Sequence, residues 1–266
     1  MSVTTDPKGA GDGSPPTVDF QDATLASDLK VLWNLIARPV RGATHAERLE
    51  SFYGHQADQY DSFRSRMLHG RNELIDRIVF PAAGIWVDVG AGTGNNIVHA
   101  GHRTRALREI HLVDLSRSLL EVAQKRISSA GIENARVHLA DATQFQLPAE
   151  SVDVITFSYS LTMIPDWFEA IRQAERMLKP GGTIAATDLY VSRKYAADTC
   201  RQHGWLRRAF WTHWFAADNV HLSGDHCAML QRTFDCELFH ERMGRVPYLP
   251  LIRAPYYLFV GTKPGR

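Results

Sequence analysis

The chain has 266 residues, 44% of them hydrophobic, with 30 basic and 29 acidic side chains and a formal net charge of +1. That length can bury one sizeable core without a second domain, and the balanced charge supplies no global field that would draw nucleic acid. Cys200, Cys227 and Cys236 are an odd set without Cys-x-x-Cys spacing, so neither a disulfide framework nor a zinc site follows, and a reducing, cytoplasmic setting is expected.

Residues 1–25 are expected to be a disordered tail, because Pro7, Gly9, Gly11, Gly13, Pro15 and Pro16 leave few apolar side chains to pack. Helical spacing begins at Leu29, Leu32, Trp33 and Ile36 and is limited by Pro39. Thr44 is placed to cap a second helix that runs through Tyr53 toward Ala57, Tyr60, Phe63, Met67 and Leu68. Residues 26–80 are therefore predicted to form lid helices over a core at 81–266. No stretch reaches the roughly 18 consecutive apolar residues of a membrane span, and no basic region followed by an apolar core marks a signal peptide.

The core opens on Ile85-Trp-Val-Asp-Val-Gly-Ala-Gly-Thr-Gly94, an apolar run followed by three alternating glycines. Glycine accepts positive φ and lacks Cβ, so such a loop can turn tightly and lie against a ligand. The spacing is Asp-x-Gly-x-Gly-x-Gly, not the Gly-x-Gly-x-x-Gly that cradles a pyrophosphate. A carboxylate at Asp88 would repel a pyrophosphate and favour a cationic or hydroxyl-rich ligand. Strands are predicted near 85–89, 109–114, 135–140, 152–157 and 182–188, with helices near 94–106, 116–129 and 165–178, as a parallel sheet requires. The second strand ends in Asp114, suited to accept from two ribose hydroxyls, and the third leads to Asp141, suited to accept from an adenine amino group. Lys179-Pro-Gly-Gly182 is expected to stop a helix and turn into the fifth strand.

An insertion at 190–232 follows, before two late strands near 234–241 and 256–262. Residues 199–217 hold no acidic side chain but carry Arg201, Arg207 and Arg208 beside Trp205, Phe210, Trp211, Trp214 and Phe215. Two readings stand side by side: a helix packed on the sheet by its aromatic face, or a surface for a membrane interface, where indoles settle at headgroup level and arginines meet phosphate. His221, Asp225, His226 and Cys227 cluster in sequence without a standard ligand spacing, so a polar loop is expected there and no metal.

The ordered set of Asp88, Gly90, Gly92, Gly94, Asp114 and Asp141 resembles that of the class I methyltransferases that use S-adenosylmethionine. The resemblance implies a Rossmann-like α/β three-layer sandwich with a seven-stranded, mostly parallel sheet. It also implies a methionine moiety near Asp88 that passes over Gly92 and Gly94, with Tyr53, Leu115, Ala142 and Phe157 completing the cofactor site.

Several stretches outside these motifs resemble the N-methyltransferase part of betaine-lipid synthases: Arg41-Gly42, Glu47–Gly54, Phe157-Ser-Tyr-Ser-Leu-Thr-Met-Ile-Pro165, Val191-Ser192, Lys194-Tyr195, Asp218-Asn219, Val246–Pro250 and Arg253-Ala-Pro-Tyr-Tyr257. Asp88-Val-Gly-Ala-Gly departs from the Asp-Leu-Gly-Gly-Gly form of that family, and the headgroup-building partner enzyme would be a separate chain. This resemblance implies three successive methyl transfers to the amine of a diacylglyceryl-homoserine lipid, at a peripheral membrane location. Tyr60 and Tyr159 would be catalytic, because tyrosine rings can surround a growing ammonium while their hydroxyls orient the earlier amine. Ser158 and Ser160 either orient the amine or cap the turn. Arg193, Lys194 or Arg253 would face the homoserine carboxylate. The alternatives are a soluble small-molecule N- or O-methyltransferase and a non-catalytic S-adenosylmethionine-binding protein.

Overall fold

The computed structural model describes residues 67–197, 200–216, 220–246 and 249–265, together with Thr44, Glu47 and Glu50. The predicted tail and most of the predicted lid, Tyr53 and Tyr60 with them, lie outside these residues. What is described at the lid agrees with a helix start. The Glu47 N–H donates to Thr44 Oγ1 (3.2 Å) and the Thr44 N–H to Glu47 Oε2 (3.3 Å), a reciprocal capping box.

Seven strands form one sheet: β1 (Ile85–Val89), β2 (Glu109–Asp114), β3 (Ala135–Leu139), β4 (Val152–Ser158), β5 (Leu178–Leu189), β6 (Asp235–Val246) and β7 (Leu249–Thr262). Their order is β3-β2-β1-β4-β5-β7-β6. β1 to β5 pair in parallel, while β7 runs antiparallel to both β5 and β6. The chain steps from β1 outward to β3 and then returns to β4 on the other side of β1. The two crossovers diverge there, opening a crevice at the carboxyl ends of β1 and β4.

The period of two along β1 feeds two separate cores. Ile85, Val87 and Val89 pack on one face, whereas Trp86 packs on the other. Onto the Trp86 face pack α1 (Arg71–Arg77), α2 (Asn95–Ala100), α3 (Arg117–Ser129) and α5 (Trp205–Ala216); onto the opposite face pack α4 (Trp167–Met177) and α6 (His226–Thr233). The stripe Ala170, Ile171, Ala174 and Met177 is buried because positions i, i+1, i+4 and i+7 share one side of α4. Each large side chain so buried contributes about 1.5–3 kcal/mol. α1 falls within the segment expected to be lid, yet Leu74 and Ile75 are fully buried in the core.

Helix α4 ends at Met177, and Lys179–Gly182 turns the chain into the paired part of β5: opposite β4 the register jumps from Leu178 to Thr183 while β4 advances only from Val152 to Val154, so these four residues bulge out of the pairing. Gly181 has φ +75° and its N–H donates to the Lys263 carbonyl, so the segment joins the antiparallel edge. The Arg253–Tyr257 stretch has an ordinary cause: Ala254, Tyr256 and Tyr257 are buried in β7, where Tyr257 and Tyr256 face Asp188 and Leu189 of β5.

The insertion's helix α5 splits the two readings of its aromatic face. Trp211 and Phe215 are buried in the core, while Trp205, Leu206, Phe210 and Trp214 are exposed. Among the described residues no helix is long and apolar enough to cross a membrane.

Candidate cofactor and acceptor site

A cavity of about 300 Å³ opens where the sheet order reverses, lined by the glycine loop, the ends of β2 and β3, and the segment after β4. That is the lower end of the roughly 300–1,000 Å³ typical of small-molecule sites.

The loop between β1 and α2 is fixed from three sides. Gly90, Gly92 and Gly94 have φ of 69°, 56° and 77°, a region that disfavours side chains. The N–H groups of Gly90 and Ala91 donate to the Val113 carbonyl (2.8 and 3.1 Å), and the Gly92 N–H donates to Asp114 Oδ2 (2.8 Å). From behind, Arg126 of α3 donates to the Thr93 carbonyl (3.1 Å) and to Asn95 Oδ1 (2.8 Å). The three glycines do different jobs. A Cβ on Gly90 would collide with the Cβ of Ser160; one on Gly94 would press on Ala123 of α3 at 3.3 Å; one on Gly92 would meet nothing within 4 Å. Only the Gly92 position leaves open space for a bound group, while Gly94 closes helix against sheet and does not line the cavity.

Asp114 sits at the end of β2 and lines the cavity. Its Oδ2 accepts from Gly92 and its Oδ1 from the Ser116 N–H (2.9 Å), so both oxygens are held by the backbone around the loop. Leu115, Asp141 and Ala142 line the same cavity. Asp141 Oδ1 accepts from both the N–H and the hydroxyl of Thr143 (2.8 Å each). Glu50, from the predicted lid, accepts from the Ser116 hydroxyl (3.0 Å), so this part of the lid is anchored one turn from Asp114.

Asp88 is placed differently from expectation. As the second residue after Trp86 it faces the same core, is fully buried, and does not line the cavity. Its carboxylate accepts from Asn96 Nδ2 (3.0 and 3.1 Å) and from Thr156 Oγ1 (2.6 Å), and Thr156 in turn accepts from Trp86 Nε1 (2.9 Å). Burial pushes the Asp88 carboxyl up to about 6, against the lowering effect of the Thr156 and Asn96 hydrogen bonds and of the Arg71 charge. Asn96, which does line the cavity, is the group through which Asp88 reaches it.

Past the glycine loop the wall is Ser158, Tyr159, Ser160, Met163, Ile164 and Pro165. Tyr159 lies after β4 with φ 57°, a costly conformation for a bulky residue. Its N–H donates to the Thr187 carbonyl and its hydroxyl to the His69 carbonyl (2.7 Å), so the ring is locked against the cavity with its proton already used. Burial, reinforced by the charge of Asp188, holds that phenol well above its ordinary range. Ser158 Oγ and Ser160 Oγ are buried and have no hydrogen-bond partner among the described residues.

The remaining expected residues are not brought here. Phe157 points into the opposite core, one step of the strand from Ser158. Arg193 pairs with Asp225 at 2.6 Å, and Arg253 is exposed on β7 opposite Arg245. Neither guanidinium lines the cavity. Lys194 lies over the Tyr195 ring (5.2 Å) and is also absent from the lining. Arg71, at the start of α1, is the cavity's guanidinium instead. No motif marks it in the sequence, and none marks Asn96 of α2 or Arg126 of α3. Thr156 had a signal, a polar residue in an apolar strand run.

Residues 87–182 match the family described as "Methyltransferase domain". The matched segment lies within a sheet that has the class I S-adenosylmethionine-dependent methyltransferase fold. The ubiquinone/menaquinone biosynthesis C-methyltransferase UbiE of Idiomarina loihiensis is 30% identical to this chain over 134 residues, covering 48% of the chain and 53% of that protein. The UbiE of Pseudomonas fluorescens is 24% identical over 188 residues, covering 66% and 73%. The chain thus spans little more than half the length of the first of these curated relatives. Among solved structures, Haemonchus contortus phosphoethanolamine N-methyltransferase 2 with phosphomonomethylethanolamine and S-adenosylhomocysteine has a similar fold, at a TM-score of 0.64 and 13% identity over 84% of this chain and 61% of that one. The cofactor of the methyltransferase domain is S-adenosylmethionine, and the open space at Gly92, flanked by Asp114 and Asp141, fits it.

Proposed function

We propose that the domain transfers the methyl group of S-adenosylmethionine to a small-molecule acceptor held between Tyr159 and the two buried serines. The bound cofactor supplies an electrophilic methyl on a sulfonium. In this reading Asp141 accepts from the adenine amino group, Asp114 accepts from the ribose hydroxyls, and Gly92 gives the cofactor room to pass. Asn96, backed by Asp88, and Arg71 serve the amino-acid end. Tyr53, from the predicted lid, would complete the cofactor site.

The observation that carries the reading is the pair of unsatisfied hydroxyls at Ser158 and Ser160, both lining the cavity. A buried hydroxyl left without a partner costs about 1–3 kcal/mol. An acceptor with one polar atom near the reacting centre would satisfy them, while Met163, Ile164 and Pro165 cover its apolar body. The locked Tyr159 ring restricts that acceptor to one approach, and orientation of this kind is a large share of what an enzyme can contribute to methyl transfer. The names of the curated relatives favour an acceptor of the quinone-precursor kind.

A second reading, successive N-methylation of a diacylglyceryl-homoserine lipid with Tyr60 and Tyr159 around the amine, is favoured by the stretch Phe157–Pro165. Most of that stretch forms the acceptor wall. Its weakness is the placement of Arg193 and Arg253 away from the cavity, which leaves the lipid's carboxylate to Arg71. The two readings part on one experiment: labelled S-adenosylmethionine is incubated with a demethylated quinone and, separately, with diacylglyceryl-homoserine in mixed micelles, followed by mass spectrometry. A single added methyl on the quinone supports the first reading, additions of one to three methyls on the lipid the second. Label found only in unrelated polar products would overturn both.

A further inference from the structure

We infer that the exposed face of α5 is a docking surface for an anionic lipid bilayer, which presents the acceptor end of the cavity to molecules dissolved in that bilayer. This goes beyond the acceptor reading and stands whichever acceptor the site takes.

At 3.6 residues per turn, Trp205, Leu206, Phe210 and Trp214 share one half of the helix circumference, and Trp211 and Phe215 lie on the other. The buried half anchors α5: Trp211 and Phe215 are 3% exposed each and join the core cluster that contains Tyr159. The outward half is not a frayed or half-packed edge. Trp205 is 74% exposed, Leu206 66%, Phe210 44% and Trp214 40%, four large apolar side chains in a helix of twelve residues. Single exposed hydrophobics need no explanation, but a contiguous aromatic patch marks an interaction surface.

Charge selects the partner. Residues 199–217 contain no acidic side chain. Arg201 and Arg207 are exposed beside the apolar half, and Arg208 is partly exposed at its border with the buried half. A protein partner of mixed surface charge gives no reason to exclude every carboxylate from this segment. A sheet of phosphate headgroups does, and tryptophan and arginine are the side chains that settle at such an interface.

Position links the surface to the chemistry. The chain after α5 returns through Val220, whose N–H donates to the Phe215 carbonyl, and His221, whose N–H donates to the Thr162 carbonyl at 2.8 Å. Thr162 adjoins Met163 and Ile164 of the acceptor wall. A bilayer against α5 therefore lies on the acceptor side of the site, not on the adenine side at Asp141.

The test uses the full chain with vesicles of phosphatidylcholine alone and of phosphatidylcholine with phosphatidylglycerol, read by co-sedimentation and by the blue shift of tryptophan emission. Binding is expected to the anionic vesicles and to fall steeply with salt. Trp205→Ser with Phe210→Ser and Trp214→Ser is expected to weaken that binding by about tenfold or more while leaving the melting temperature and the affinity for S-adenosylhomocysteine unchanged. Arg207→Gln alone is expected to reduce binding and its salt dependence, a readout that no packing role would give. Equal binding by the triple variant and the parent chain overturns the inference. So does a parent chain that ignores both vesicles but forms a dimer which the triple variant abolishes.

Discussion

Gly90 and Gly92 offer the sharpest test of the site, because the same substitution at two neighbouring loop positions should fail for different reasons. Alanine at either must adopt a positive φ, 69° or 56°, which costs about 1–2 kcal/mol for a residue with Cβ. At Gly90 the new methyl also strikes Ser160, with its Cβ inside contact distance and its Oγ 3.1 Å away. Overpacking of that kind adds about 1–3 kcal/mol, because Ser160 is buried and cannot step aside. The total for Gly90→Ala is about 2–5 kcal/mol, a fall in melting temperature of roughly 4–20 °C for a domain of this size. At Gly92 nothing stands within 4 Å of the new methyl, so only strain remains and the fall should be roughly 2–8 °C. The methyl would, however, enter the space assigned to the cofactor, and S-adenosylhomocysteine should bind at least about tenfold more weakly by calorimetry. The reasoning is refuted if Gly92→Ala binds S-adenosylhomocysteine like the parent, or if Gly90→Ala is no less stable than Gly92→Ala.

Two further predictions concern the carboxylates. Asp114→Ala should abolish S-adenosylhomocysteine binding in calorimetry and also lower stability, since it strips the Gly92 and Ser116 N–H groups of their acceptor; Asp114→Asn should restore part of the stability but not the affinity, and a fully stable Asp114→Ala would contradict the loop anchoring. For Asp88, burial raises the carboxyl from 3.8 to about 6, so between those values the folded chain holds a proton that the unfolded chain releases, and stability falls as pH rises through that window. Affinity should run the other way: the ionised form favours a cationic ligand, so S-adenosylmethionine binding should strengthen between about pH 5 and 7 in the parent, and a slope that persists in Asp88→Asn would reject Asp88 as its source.

The sheet was legible because its signals are local. Apolar runs at 85–89 and 109–114 carry enough β-branched residues to be read directly, and their ends fix Asp114 at the crevice without knowledge of anything distant. What failed was depth and facing. Asp88 and Asp114 look alike in sequence and lie on the same face of the sheet, the one shared by Trp86, Ile110 and Leu112; but Asp88 is paired with Leu112 inside the sheet, while Asp114 lies one step beyond the last pair of β1 and β2, at the cavity. That register is a tertiary fact. Facing separates Phe157 from Ser158, which are one residue apart on opposite faces of β4. Arg193 and Arg253 failed for another reason: a guanidinium's reach depends on where its strand or loop is carried, and β7 carries Arg253 to an exposed place opposite Arg245. Arg71 comes to the cavity because α1 packs against α2 and against β5 and β7, a tertiary fact with no motif. In α5 the helical wheel separated Trp211 and Phe215 from the other aromatics, but only packing decided which half faces inward.

The two carboxylates hold the glycine loop and the helix after it in different ways. Asp114 spends both oxygens on backbone N–H groups at the cavity surface, where solvent and a ligand can share them. Asp88 is dry, and its raised carboxyl reports that its hydrogen bonds do not fully offset the loss of water. Asn96, which lines the cavity and donates to Asp88, is thereby held by a carboxylate whose charge is more stable once a cation is nearby. Under the proposed function, a site built this way is rigid where the cofactor would lie and would couple cofactor charge to loop integrity through Asn96. The acceptor wall has no such bracing on its serines, whose hydroxyls are left unsatisfied. Under the proposed function, that asymmetry has the fold specify the cofactor end and leaves the acceptor end to be specified by the acceptor.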